Sequence, residues 1–136
     1  MIIDASIRIH KELGPGLLES VYEWVLERAL QKRGLYVERQ RIVRFECDGM
    51  TFDEGLRVDL LVERRVIVEL KSVENLAPVH SKQVLTYLRL MNLSVGLLIN
   101  FGAATLKEGL HRIVNNLQAD ESSQLRVNQP LPDSHA

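Results

Sequence analysis

The sequence predicts an α/β fold in which a mixed β-sheet is flanked by helices. Three features carry that expectation. Apolar residues recur at three- and four-residue spacing from Leu18 to Leu30, the mark of an amphipathic helix. Short β-type runs broken by turn residues fill Tyr36 to Val62. Beyond them, Val66–Lys71, Val79–Met91 and Val95–Phe101 follow as strand, helix and strand, a βαβ unit whose crossover is expected to be right-handed.

Taken in order, Ile3, Ile7 and Ile9 lie among polar residues from Ile2 to Leu13, which suits a short helix ended by Gly14-Pro15-Gly16. Leu18, Val21, Tyr22, Val25, Leu26, Ala29 and Leu30 form the apolar stripe of a second helix, stopped by Gly34. Trp24, close to Tyr22, is expected to pack. Ile42-Val43-Arg44-Phe45 reads as strand and Asp48-Gly49 as a hairpin turn. Strands from Leu56 to Val62 and from Val66 to Lys71 flank Glu63-Arg64-Arg65. Val84, Leu88 and Met91 share one stripe of the next helix, and the unbroken apolar run from Val95 to Phe101 suits a buried central strand. Lys107 to Asn116 fits an edge strand or a helix equally. Gln118 to Ala136, with Ser122, Ser123, Pro130, Pro132 and few large apolar residues, is expected to be a disordered tail, leaving one domain over residues 1–117.

The 136-residue chain is 46% hydrophobic and 26% charged, an ordinary globular balance that excludes collagen-like and low-complexity chains. No apolar stretch approaches the ~20 residues of a membrane-spanning helix. Asp4 and Arg8 interrupt the first ten residues, so they do not read as a signal peptide, and the expected compartment is the cytoplasm. Cys47, the only cysteine, makes neither an internal disulfide nor a multi-thiolate metal site; it reads as a small strand residue. Net charge is −1. The tail carries −2 of it, leaving +1 for the rest, so nucleic-acid binding would have to come from a local patch.

The sharpest chemical signal comes from pairing the two strands around Glu63-Arg64-Arg65. With Val62 opposite Val66, Asp59 faces Glu69. Alternation then puts Val58, Leu60, Val62, Val66, Val68 and Leu70 on one aliphatic face, and Arg57, Asp59, Leu61, Ile67, Glu69 and Lys71 on the other. Opposed like charges are destabilising, so two facing carboxylates call for a cation. Lys71 supplies one charge and a divalent ion held by oxygens would supply more. A solvated face, with Arg57 and Lys71 pairing the acids, fits the same spacing.

Glu19 lies in the first turn of the second helix, where the helix dipole alone favours an acid. Glu19, Glu23 and Glu27 repel at four-residue spacing, which a metal, a basic group or solvent would relieve. Gln83 and Tyr87 share a helix face with His80 nearby. Gln and Tyr can hydrogen-bond phosphate oxygens, and an aromatic ring can stack on a base; a polar flank with Tyr87 at the core margin accounts for them as well, and His80 could instead satisfy backbone groups at the helix start. The sequence contains no Walker-type or GxGxxG phosphate loop and no HExxH.

Asp59 followed by Glu69-Leu70-Lys71 resembles the D…(D/E)xK signature of the PD-(D/E)xK nuclease superfamily. Gly16-Leu17-Leu18-Glu19-Ser20-Val21-Tyr22 resembles the motif that names the GxxExxY protein family. Leu13 to Glu19, Ile67 to Lys71, Pro78-Val79-His80, Gln83 to Tyr87 and Leu97 to Phe101 extend the resemblance over nearly all the chain except the tail. It implies a restriction-endonuclease-like core with the acidic hairpin at its centre. Asp59, Glu69 and the Leu70 carbonyl would bind Mg²⁺, with Mn²⁺ as an alternative, and Glu19 would complete the acidic cluster. Lys71 would position or deprotonate the attacking water. Gln83 and Tyr87 look like the QxxxY element of RecB-type relatives, which orients active-site groups and the phosphate. Val58 stands where the superfamily's name has proline, a departure of little mechanistic cost. No cysteine cluster accompanies the site, so the iron–sulfur variants are not implied. The implied activity is metal-dependent phosphodiester hydrolysis of nucleic acid, DNA above all. The alternative is a catalytically silent module of the same fold that binds nucleic acid or a protein partner, and a homodimer is compatible with either.

Overall fold

A computed structural model describes residues 1–117; the tail expected to be disordered lies outside the described residues. The element order is α1 (Ile2–Leu13), α2 (Glu19–Lys32), β1 (Val37–Cys47), β2 (Met50–Val62), β3 (Val66–Lys71), α3 (Pro78–Met91), β4 (Val95–Asn100), α4 (Leu106–Gly109) and β5 (Leu110–Val114). The five strands form one sheet in the order β1-β2-β3-β4-β5. β3 and β4 run parallel, and every other neighbouring pair is antiparallel. The fold is α/β, with a mixed sheet flanked by helices.

Local chemistry accounts for the element ends. Gly34 takes φ 88°, and the Leu35 and Gly34 amides donate back to the Leu30 and Gln31 carbonyls, closing α2 with a left-handed residue that spares glycine any Cβ penalty. Pro78 opens α3, where its missing N–H costs nothing. Asp48 and Gly49 have φ 53° and 78°, the paired positive values of a tight hairpin turn whose twist matches its strands. The ambiguous stretch from Lys107 to Asn116 is divided between two elements: Leu106–Gly109 makes one helical turn and Leu110–Val114 an edge strand.

Two apolar layers sandwich the sheet. On one side Ala5 and Ile9 of α1 and Tyr22, Leu26 and Leu30 of α2 pack on Leu60, Val62, Val68 and Leu70. On the other, Val84, Leu88 and Met91 of α3 pack on Val58, Leu61 and Ile67. The second hairpin face is therefore covered rather than solvated. Val58 also departs from expectation, because it packs with Leu61 and not with Leu60. Residues two apart on a strand share a face, so β2 rotates at the intervening Asp59. Another difference concerns α2. Only Tyr22, Glu23, Leu26 and Leu30 are buried, while Leu18, Val21 and Val25 of the apolar arc stay exposed, as does Trp24. Trp24 does not pack into the core.

Two buried polar groups fix the connections around the β3 end. The Tyr22 hydroxyl donates to the Gly14 carbonyl and accepts from the Leu17 amide, while its ring stacks on Phe101 with centroids 4.4 Å apart. Asn100 accepts from the Val73 and Gly102 amides, both at 3.0 Å, and donates to the Val73 carbonyl at 2.8 Å. These bonds join the segment after β3 to the end of β4. Removing one partner strands buried groups, at about 1–3 kcal/mol. Asn100→Ala and Tyr22→Phe are each expected to lower stability by about that amount in denaturant unfolding. Midpoints equal to wild type would contradict these roles.

Candidate active site

The hairpin register matches the sequence expectation: Leu60 pairs with Val68, Leu61 with Ile67 and Val62 with Val66. The ladder goes no further. At the next position, side chains replace it. The Asp59 amide donates to a Glu69 carboxylate oxygen at 2.9 Å, and the Leu70 amide donates to an Asp59 carboxylate oxygen at 2.9 Å. The two strands fork here, with the acidic pair across the fork. Strand alternation, with Ile67 on the α3 side and Val68 and Leu70 on the other, puts Glu69 on the α3 side.

Glu69 is 5% exposed. Burial, followed by the neighbouring Asp59 charge, pushes its carboxyl up from 4.5 to about 8; the hydrogen bond from the Asp59 amide and the Lys71 ammonium pull the other way without winning. Lys71, half-buried at the end of β3, makes no ion pair among the described residues. Arg57 is exposed and also makes none, so the acids are not neutralised by an Arg57–Lys71 pairing.

The acid that reaches the fork from α2 is Glu23. It is 6% exposed, and its charge raises the Glu69 pKa. Burial raises Glu23 itself, and the Asp59 charge adds to that effect. Gln40 links the two elements, donating to Glu23 at 2.6 Å and to Asp59 at 3.3 Å. Gln40 has φ 54°, a left-handed backbone that is uncommon outside glycine. Arg39 lies 3.4 Å from both Glu23 and Glu27, the basic group that relieves their four-residue repulsion. Glu19 lies at the site's margin, on the side of Ser72. It is exposed, lines a recess of about 620 Å³ with Ser72 and Glu74, and makes no hydrogen bond or ion pair among the described residues. The sequence placed weight on Glu19 and gave Glu23 only the part of a repelling neighbour. The Tyr22-Leu26-Leu30 phase does not separate the two acids, because at 3.6 residues per turn it turns Glu19 inward as much as Glu23; Glu19 stays exposed as the first residue of α2.

On α3, Gln83 donates to the Tyr87 hydroxyl at 3.0 Å. Burial raises the Tyr87 pKa, and the Glu69 and Asp59 charges add to it, so this pair borders the fork. His80 accepts from the Ala77 amide at 3.1 Å, which commits its Nδ1 to the helix start. The loop before α2 also touches the site's margin, since Ser72 donates to the Leu17 carbonyl at 2.6 Å.

Among the described residues, no group of three or more His, Cys, Asp or Glu side chains is arranged to hold a metal ion. The donors at the fork are two carboxylates and neighbouring peptide carbonyls. These are hard oxygens, and Mg²⁺ is commonly held by one or two carboxylates with water completing its shell. A carboxyl held near pKa 8 by burial and a second acid also marks a place where negative charge exceeds the local cations. The donor set fits a divalent cation of that type.

A family model described as the PD-(D/E)XK nuclease superfamily matches residues 1–113. No curated protein and no solved structure matches the chain.

Between pH 4.5 and about 8 the folded state holds the Glu69 proton that the unfolded state releases, so stability falls as pH rises through that window. The raised Glu23 pKa acts in the same direction. The melting temperature of the metal-free protein is expected to fall from pH 5 to pH 8, reflecting a loss on the order of 3 kcal/mol, and Glu69→Gln should flatten most of that slope. A wild-type melting temperature that does not change over this range would contradict the assignment.

Proposed function

The chain belongs to the PD-(D/E)XK nuclease superfamily, and on that basis we propose that it is a metal-dependent nuclease of the GxxExxY type that hydrolyses phosphodiester bonds, with DNA as substrate. The observation that carries the proposal is the fork itself, where Asp59 and Glu69 are locked together by main-chain amides with Lys71 beside them.

In this reading, Asp59, Glu69 and the Leu70 carbonyl hold Mg²⁺, or Mn²⁺ in its place. Bound there, the cation would supply a hydroxide near neutral pH and charge neutralisation at the phosphoryl oxygens. Glu23 takes the part of the third acid, because its field reaches Glu69 and it meets Asp59 through Gln40; Glu19 is left to the recess beside Ser72. The Lys71 ammonium, which makes no ion pair among the described residues, orients the attacking water and offsets charge on the transition state. Since the Tyr87 hydroxyl accepts from Gln83, its own proton is left to donate to a phosphate oxygen, which positions the backbone without base selectivity.

Plasmid nicking and oligonucleotide cleavage with Mg²⁺, Mn²⁺ or EDTA test this reading. The wild-type protein is expected to cut only with a divalent cation. Glu69→Gln and Lys71→Ala should each lower the rate by about 10²–10⁴-fold. Glu23→Gln is expected to cost more than Glu19→Gln. Cleavage at the wild-type rate in Glu69→Gln and Lys71→Ala would refute the assignment, and binding without cleavage in every divalent condition would favour a silent nucleic-acid module.

A further inference from the structure

The mechanism leaves unused an exposed surface beside the fork. Trp24 follows Glu23 on α2 and is 55% exposed. One face of its ring is covered by the Arg39 guanidinium, 3.5 Å from the centroid. Arg39 is itself anchored at 3.4 Å to Glu23 and Glu27, so the exposed ring is backed by a fixed cation. The indole opens onto a groove of about 710 Å³ between α1 and α2, lined also by Arg8, Arg28, Lys32 and Arg33. Of its two lining acids, Glu12 and Glu27, the second is held by Arg39. Arg8 and Arg33 pair with Asp4. Arg28 and Lys32 are exposed and make no ion pair among the described residues.

From these features the geometry points to a single-stranded nucleic-acid track across α2, in which Trp24 stacks an unpaired base and Arg28 and Lys32 meet the backbone phosphates. Stacking on an aromatic ring is tolerant of base identity, and a basic groove supplies the matching charge. A base inside a duplex has both faces covered by its neighbours and cannot use the ring. The track begins one residue from Glu23, which meets Asp59 through Gln40, so it would deliver a single strand or frayed end to the fork. The inference rests on the proposed nuclease reading for its direction, and goes beyond it in naming the strandedness of the substrate.

Trp24 is the only tryptophan in the chain, so its emission reports this surface directly. The full chain, in EDTA to prevent cleavage, would be titrated with a single-stranded DNA oligonucleotide, its RNA counterpart and the DNA duplex. Single strands are expected to quench the emission and to bind at least tenfold tighter than the duplex, with the DNA and RNA arms settling the sugar preference. The Arg28→Glu/Lys32→Glu double variant, which keeps the reporter, should weaken binding at least tenfold. By anisotropy with a labelled oligonucleotide, Trp24→Ala should bind at least tenfold more weakly and Trp24→Phe close to wild type. Unchanged emission at saturating single strand, equal affinity for duplex, or wild-type affinity in Trp24→Ala would each overturn the inference. Binding and quenching without cleavage under any divalent condition would remove the nuclease reading alone; cleavage of single strands with KM unchanged in Trp24→Ala would remove the track alone.

Discussion

Two amide-to-carboxylate hydrogen bonds hold the arrangement on which everything else depends. Where β2 and β3 stop pairing, the Asp59 amide turns to Glu69 and the Leu70 amide to Asp59. Each carboxylate thus takes a hydrogen that a continued ladder would have given to a carbonyl. Buried backbone donors need partners, so the fork is satisfied only while both acids are present. The same bonds bring two like charges into a covered site, where burial and mutual repulsion push Glu69 up to about 8. The fold therefore keeps a site that is uncomfortable without an added cation. Strain of that kind is common where a protein does chemistry.

The surroundings make the fork rigid. Tyr22 closes the loop between α1 and α2 and stacks on Phe101. The Gly14–Tyr22 segment, whose motif suggested an acid at Glu19, thus has a structural role in its tyrosine. Asn100 clamps the segment that follows Lys71 to the end of β4, and the Phe101 amide donates to the Lys71 carbonyl at 2.8 Å. Lys71 is therefore held from both its own strand and its parallel neighbour. α3 covers the face that carries Glu69 and sets Tyr87 at the border of the pair.

Much of this could be read in the residues. The Asp59–Glu69 juxtaposition followed from the short turn and the alternation of apolar residues, both local. Val58 could not be placed, because β2 rotates at Asp59 and that rotation follows from the fork, a tertiary event. The choice between Glu19 and Glu23 could not be read from the helix phase, which turns both toward the buried Tyr22, Leu26 and Leu30 arc; Glu23 is set apart by Gln40 and Arg39 of β1, a tertiary contact. Trp24 was expected to pack because it stands close to Tyr22, beside the apolar arc of α2. The sheet covers only the Tyr22, Leu26 and Leu30 edge of it, and the uncovered remainder became the surface with further chemistry. The stretch from Lys107 to Asn116 stayed open because a helical turn and an edge strand share it.

Calorimetry of Mn²⁺ binding at pH 7, repeated in two buffers of different ionisation enthalpy, reads the proton on the Glu69 carboxyl at the fork. If Glu69 keeps its proton in the metal-free protein, binding at the fork must expel it, and about one proton should be released per cation bound, a release that disappears in Glu69→Gln. Absence of binding, or binding of equal strength and unchanged proton release in that variant, would contradict the account.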